Sequence, residues 1–486
     1  MHREQSMQII RAGRLLPARA DGYTGAVCVT VGDDGRIAAV ERIDPGTLEP
    51  SEARLLLMPA LSDAHDHGRG LSPLAYGAAD QPLESWVVAL SAQPQVDPYL
   101  NALVAFARLA ESGVCAVNHC HNTQDGTALL AEAEAVSRAA RDVGIHVAFA
   151  WPFFDRNPLV YGPLSPLLER LPEPLRARYA TPRAMRSCAE NMALFAKAKA
   201  FEHDLFCLQY HPVAPQWTEE ATLGAIARAS ARDGRHIHTH LFETERQREW
   251  ADHAYPNGLV RFLDDIGLLS PRLTIAHAIW LRDDEIALLA ERGVTVATNV
   301  SSNLRLRSGM PPLSRLIDSN IGICFGLDGM ALDDDQDMLR ELRLARLSFA
   351  RDPRLLDAFV LNASWRTGRR TIVGEDGGGD IAVGAPADLF TIDFGTLASD
   401  TLLEVPQVFP LVLARARRQH VVDMFVRGRE IVSNGRCRTV DLPAAERLLV
   451  QNARAAYRAM PVACDEIDAL QRAIEDYYTC GCHFAV

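Results

Sequence analysis

Two histidines separated by one residue close an apolar run, Pro59-Ala-Leu-Ser-Asp-Ala-His65-Asp-His67. Side chains at i and i+2 leave the same face of a strand, so both imidazoles can reach one metal ion. His-x-His alone is a weak signal, because histidines meet by chance. It gains weight from His240 with Glu243, then His277, then Asp328, each at the end of a strand-like segment. In Arg235-His-Ile-His-Thr-His-Leu-Phe-Glu, the histidines at 236, 238 and 240 share one face. His240 lies nearest the C-terminal end of that strand and is the third candidate ligand, with His238 the alternative. Asp328, closing Ile323-Cys-Phe-Gly-Leu-Asp, is either a fourth protein ligand or the group that holds a metal-bound water. Three imidazoles and a carboxylate around an open position suit one divalent metal, zinc first and iron(II) second. Such an ion brings water toward a neutral pKa and makes hydroxide available at pH 7.

Those residues need a scaffold that brings strand ends together. From about residue 58 to 370 the chain alternates, with strand candidates ending near His67, His119, Trp151, His211, His240, His277, Asn299 and Asp328. Helical patterns lie between them, at Ala102 to Ser112, Ala128 to Val143, Ala184 to Phe201 and Thr218 to Asp233. Eight strand-then-helix units describe an α/β fold, a (β/α)₈ TIM-like barrel, whose chemistry sits at the C-terminal ends of its strands. Residues 1–57 and 371–441 read instead as short strands punctuated by Gly and Asp, which predicts one small β-sandwich formed from both chain ends. Pro152 to Thr181, rich in proline, is expected to be a long loop, and 442–486 a helical appendage on the domain or on a second copy in a homodimer.

Composition bounds the partners. Apolar content of 48% and charged content of 23% are ordinary for a globular protein, and 486 residues allow two or three domains. A net charge of −12 argues against a nucleic-acid polymer but not against a small heterocycle in a closed pocket. The longest apolar runs, such as Leu55 to Leu61, are too short for a membrane span. Met1-His-Arg-Glu-Gln-Ser lacks the apolar centre of a secretory signal, so a cytoplasmic location is expected. Ten cysteines are scattered without any Cys-x-x-Cys pair; Cys28, Cys115, Cys188, Cys207 and Cys324 sit in apolar contexts and read as reduced, small hydrophobes. Cys480-Gly-Cys482-His483 is the one close pair, with too few ligands for a zinc site.

Taken together, these motifs resemble the amidohydrolase superfamily, in its cytosine-deaminase and chlorohydrolase branch. That branch includes guanine and S-adenosylhomocysteine deaminases and triazine hydrolases. The family's Pro-Gly-Leu-x-Asp-x-His-x-His is similar to Pro59 through His67, its His-x-x-Glu to His240-Leu-Phe-Glu243, and its next-strand His to Ala276-His277-Ala-Ile-Trp-Leu. Its Thr-Asp-Gly is similar to Leu327-Asp328-Gly329, and its Gly-x-x-Ala-Asp-Leu to Gly384-Ala-Pro-Ala-Asp-Leu. The fourth strand does not end in the lysine that carries a carbamate bridge in binuclear members, which implies one metal. The resemblance further implies that Asp328 and His277 take the water's proton and orient the hydroxide, while Glu243 passes a proton to a ring nitrogen and the departing amine. After the seventh strand the chain departs from the family, with Thr298-Asn-Val-Ser-Ser302-Asn303 where relatives show His-Asn-Pro-x-Ser-Asn.

The expected reaction is deamination of a purine, pyrimidine, pterin or triazine type of heterocycle. Hydrolysis of a cyclic amide or carbon–halogen bond is the alternative, and a non-catalytic binding protein the remote one. The small zinc nucleoside-deaminase fold is excluded, because its Pro-Cys-x-x-Cys is missing. Trp217 is expected to stack on the planar substrate and Gln216 to hydrogen-bond its edge. His211, His119, His121 and Asn303 are the further expected substrate contacts. Arg305 and Arg307 are the only nearby cations and candidates for a carboxylate; Asp333-Asp-Asp-Gln is expected to be a solvated loop.

Overall fold

The computed structural model describes residues 8–16, 25–157, 159–180, 185–348, 353–403, 407–460 and 464–485. The opening Met1 to Ser6, Thr181 at the end of the expected loop, and Ala184 at the start of an expected helix lie outside the described residues.

Eight strands form one parallel sheet: β1 Leu61–Asp66, β2 Val114–Cys120, β3 His146–Phe153, β4 Phe206–Pro212, β5 Ile237–Leu241, β6 Leu273–His277, β7 Thr295–Thr298 and β8 Gly322–Phe325. They pair in chain order, and β8 returns to β1, where the Asp328 N–H donates to the His65 carbonyl at 2.8 Å. Every residue of β1, β2 and β3 is buried. Parallel strands are covered on both faces, which explains the apolar run of β3 after His146. The crossovers are amphipathic helices. Leu129–Val143 buries Leu129, Ala133, Val136, Ala140 and Val143, one stripe at helical spacing, and stops at Gly144, whose φ of +93° suits glycine.

The chain ends build two further sheets. Gln8–Ala12, Val27–Val31 and Ile37–Arg42 form one, antiparallel throughout. The other takes Arg14–Leu15 and Leu55–Pro59 from the N-terminal part and Leu389–Asp393, Val421–Val426, Arg429–Ser433 and Arg436–Cys437 from the C-terminal part. Ile10, Val29, Leu57, Leu389 and Phe425 fill the space between the sheets. The apolar run that precedes His65 is therefore two strands. Leu55–Pro59 pairs with Leu389–Asp393, and the chain crosses into the barrel at Ala60. A change of sheet leaves no polar punctuation when both strands are buried. The expected proline-rich loop holds two short helices, Ser165–Arg170 and Glu173–Ala180, and the C-terminal appendage is the helices Leu442–Ala459 and Cys464–Thr479. Both C-terminal helices pack on the chain's own helices, at Pro98–Glu111 and Leu83–Ala89 respectively. No helix among the described residues is long and apolar enough to cross a membrane.

Asp388 joins the sandwich to the floor of the barrel. Its carboxylate meets Arg369 at 2.6 Å, from the helix Gly368–Val373 beneath the strands, and His146 at 3.1 Å, the first residue of β3. Burial opposes its charge, but the Arg369 guanidinium and His146 outweigh it and hold the carboxyl well below the usual range. A carboxylate with a depressed pKa contributes stability above its unfolded value, and the contribution is lost as pH falls through the folded one. Asp388→Ala should lower the unfolding free energy by about 1–3 kcal/mol at neutral pH, since it removes one of the two carboxylates on a buried guanidinium and leaves it Asp376. In urea melts at a series of pH values, the gap to wild type should narrow below about pH 4.

Candidate active site

The C-terminal ends of β1, β5, β6 and β8 bring His65, His67, His240, His277, Glu243 and Asp328 into one buried cluster. Backbone carbonyls decide which ring nitrogens face inward. His67 Nδ1 lies 2.8 Å from the Cys120 carbonyl, and His240 Nδ1 lies 2.7 Å from that of Val213. A carbonyl only accepts, so each Nδ1 carries the proton and each Nε2 keeps a lone pair for the centre. His277 is oriented in the same way by Asn303 Oδ1 at 3.0 Å. Burial lowers the His65 pKa to about 4 and holds His240 well below its ordinary value, so both rings are neutral. Neutral imidazole is the form that binds metal.

Asp328 closes the set. Its Oδ1 lies 3.2 Å from His65 Nε2 and 3.0 Å from His67 Nε2, and its Oδ2 accepts from Ser302 Oγ at 2.6 Å. Donors of a four-coordinate ion with bonds of about 2.1 Å stand roughly 3.4 Å apart, so this spacing fits. His65 Nε2 is buried with no hydrogen-bond partner among the described residues, as a metal-directed lone pair would be. Burial opposes the Asp328 charge; the Ser302 hydroxyl offsets part of that cost, and a cation shared with the His65 and His67 lone pairs would offset the rest. Phe242, His277, Ala278 and Asp328 all have φ between +51° and +70°. Left-handed backbone at non-glycine residues costs about 1–3 kcal/mol each and persists only where the surroundings enforce it. Here Ala278 N–H donates to Leu241, Ile279 N–H to Phe242 and Asp328 N–H to His65. Glycine is required at 326, where a Cβ would lie 2.5 Å from the His65 carbonyl.

Glu243 stands beside the ligand set, its Oε2 3.6 Å from His277 Nε2. Burial pushes its carboxyl up to about 7, against the pull of His277 and with help from the Asp328 and Glu84 charges. A carboxyl that titrates near neutrality can both give and take a proton at working pH.

The remaining expected residues are placed as follows. Asn303 turns its Oδ1 to His277, while its Nδ2 has no hydrogen-bond partner among the described residues. Gln216 accepts from Gln247 Nε2 at 2.6 Å, and Trp217 packs on Phe154 and Tyr161 with ring centroids 6.2 and 6.0 Å away. His119 and His121 contact each other at 3.1 Å, and His121 pairs with Glu132 at 2.8 Å in a small polar recess that reaches His67. His211 does approach the cluster, its ring 5.4 Å from that of His240. Arg305 is engaged by Asp80 and Asp334, and Arg340 pairs with Asp333 and Asp335. The acidic run is thus a loop that leaves Asp333 exposed to solvent and is also ion-paired, because cations distant in sequence fold onto it. Sequence reasoning missed Ser302, Arg69, whose Nη1 donates to the Asp328 carbonyl at 2.9 Å, and Glu84, which accepts from Thr244 Oγ1 at 2.6 Å. Arg69 lies two residues beyond His67 and could have been found from that spacing; Glu84 lies in no motif.

The amidohydrolase family model matches residues 56–431, more than three-quarters of the chain. This chain belongs to the amidohydrolase family. The 5'-deoxyadenosine deaminase of Methanothermobacter thermautotrophicus is 28% identical over 379 residues, 74% of this chain and 79% of that protein. The 5-methylthioadenosine/S-adenosylhomocysteine deaminase of Thermodesulfovibrio yellowstonii is 26% identical over 453 residues, 89% and 95% of the two chains. Among solved structures, an adenosine deaminase from Xanthomonas campestris with bound zinc superposes with a TM-score of 0.74, at 25% identity over 93% of this chain and 98% of that one.

The donor set of this amidohydrolase fits the divalent metal on which its family depends. His65→Ala should leave a purified protein that retains far less than the wild-type metal content, as measured by elemental analysis. Full wild-type occupancy in that variant would remove His65 from the ligand set.

Proposed function

We propose that this amidohydrolase deaminates an amino-substituted nitrogen heterocycle, with one zinc ion held by His65, His67, His240 and Asp328. The observation that carries this reading is Glu243, a buried carboxyl raised to about 7 beside His277 on the rim of the ligand set. Deaminase relatives and a zinc-bound neighbour support it. The absence of a lysine at the His211-Pro212 end of β4 supports a single ion.

When bound, the ion supplies a water molecule of near-neutral pKa and a positive centre for the developing charge. Asp328, held as a carboxylate, accepts the water's proton, and His277 lies 3.8 Å from its Oδ2 to orient the attacking oxygen. Glu243, protonated at the start, donates to a ring nitrogen as the oxygen joins the adjacent ring carbon. Left as a carboxylate, it takes the proton of the new hydroxyl and passes it to the exocyclic amine, the carbon–nitrogen bond breaks, ammonia leaves, and the proton on Asp328 returns to Glu243. Near-neutral acidity serves both halves of that relay. The substrate is read as a free base or nucleoside without a phosphate, because Arg305 is already engaged by Asp80 and Asp334.

Glu243→Gln should keep its metal and lose roughly two to four orders of magnitude in kcat, because an amide cannot accept and return a proton. Near-normal turnover would return Glu243 to a structural role. Ammonia release should be measured against 5'-deoxyadenosine, 5-methylthioadenosine, adenosine, adenosine monophosphate, cytosine and amino-triazines. An unphosphorylated heterocycle should give the highest kcat/KM. Preference for the monophosphate would overturn the phosphate-free reading, and halide release or ring opening without ammonia would overturn deamination.

A further inference from the structure

We propose that His238 is the positioning residue of His65, receiving the Nδ1 proton of that ligand and so fixing its Nε2 toward the metal. The two rings are fully buried, His65 Nδ1 lies 2.8 Å from His238 Nε2, and the ring planes are 7° apart with centroids 5.0 Å apart. Two imidazoles joined nitrogen to nitrogen in one plane have centroids at about that separation when the hydrogen bond is of ordinary length. The contact is an in-plane hydrogen bond rather than a face stack.

The need for it follows from the other ligands. His67 and His240 give their Nδ1 protons to the carbonyls of Cys120 and Val213, so the backbone sets their tautomers. Among the described residues His65 has no such carbonyl, and its Nδ1 reaches His238 and, at 3.2 Å, the sulfur of Cys120, whose own S–H donates to Asn118 Oδ1 at 3.3 Å. A thiol sulfur is a weak acceptor, which leaves His238 Nε2 as the effective one. The arrangement leaves His238 Nδ1 buried without a partner among the described residues. An orphaned buried N–H is a cost that an apolar residue would avoid, so the imidazole is there for its other nitrogen. The backbone carbonyl of His238 meanwhile accepts from His211 Nδ1 at 2.7 Å, which orients a second ring of the site. Strand β5 thereby supplies a ligand at 240 and, two residues earlier on the same face, the support of the ligand on β1.

The inference rests on His65 being a metal ligand, so His65→Ala is the reference: wild-type metal affinity there would sink that prior reading. The measurement is competition for zinc with a chromophoric chelator, together with the visible absorption of the cobalt(II)-substituted protein. Loss of a group that supports a metal ligand typically weakens binding 10–100-fold. His238→Phe and His238→Asn should both show that loss and shifted cobalt bands. His238→Gln places an amide oxygen where Nε2 stands and should recover affinity to within a few-fold. The Asn and Gln pair decides the matter if the Phe variant fails to fold. Wild-type affinity and spectrum in His238→Asn would overturn the proposal, as would equal losses in Asn and Gln. A second zinc ion per wild-type chain, lost in both His238→Asn and Cys120→Ala, would also overturn it by making His238 a ligand.

Discussion

A carboxylate taken out of water costs several kcal/mol unless its oxygens are matched by charge or hydrogen bonds. Asp328 is 95% buried where β8 returns to β1, and the mouth of the barrel is arranged to meet it. Ser302 donates to one oxygen, the His65 and His67 lone pairs face the other across the place a cation would take, Arg69 holds its carbonyl, and its N–H is bonded to His65. Those partners come from β1, from the turn after β1 and from the helix after β7. The carboxylate therefore ties together elements that lie more than 250 residues apart in the chain. The same contacts hold Asp328 in the left-handed conformation that turns its side chain into the site.

Around this anion, the imidazoles are oriented from behind. Carbonyls of Cys120 and Val213, the amide of Asn303 and the ring of His238 each occupy an Nδ1, so that the Nε2 atoms converge. Removing water from these rings keeps them neutral, and removing water from Glu243 keeps a proton on it near neutrality. One physical cause, desolvation, thus gives ligands that bind metal and an acid that can act at neutral pH.

The rest of the chain supports that mouth from two sides. Below the barrel, Asp388 and Arg369 clamp the sandwich to the floor. Above, the helix Cys464–Thr479 lays Tyr478 against Tyr161, whose hydroxyl donates to Glu84 at 3.2 Å, and Glu84 in turn accepts from Thr244 beside Glu243. The chain then turns through a Cys480–Cys482 disulfide, and His483 pairs with Glu249 at 3.0 Å. The close cysteine pair, with too few ligands for a zinc site, is joined across Gly481, which sits at φ +72°. The appendage is a buttress of the rim.

How far sequence reaches depends on whether a feature is periodic and local. Alternating buried strands and amphipathic helices are both, so the barrel, the strand ends at His67, His240 and His277, and the mixed-origin sandwich are legible from residues alone. The His-x-His spacing and the position of Asp328 at a strand end point to one centre for the same reason. What the sequence could not determine is which nitrogen, oxygen or ring each side chain meets across the barrel. Asn303 and Gln216 carry amides suited to substrate, and in the fold their oxygens meet His277 and Gln247. Arg305 carries a charge suited to a carboxylate ligand, yet Asp80 and Asp334 reach it first. The split of Leu55 to Asp66 between two sheets is invisible in a run that is apolar on both sides of Ala60. Local pattern sets where a side chain starts; only tertiary packing sets what water it loses and which partner replaces that water, and the chemistry depends on the partner.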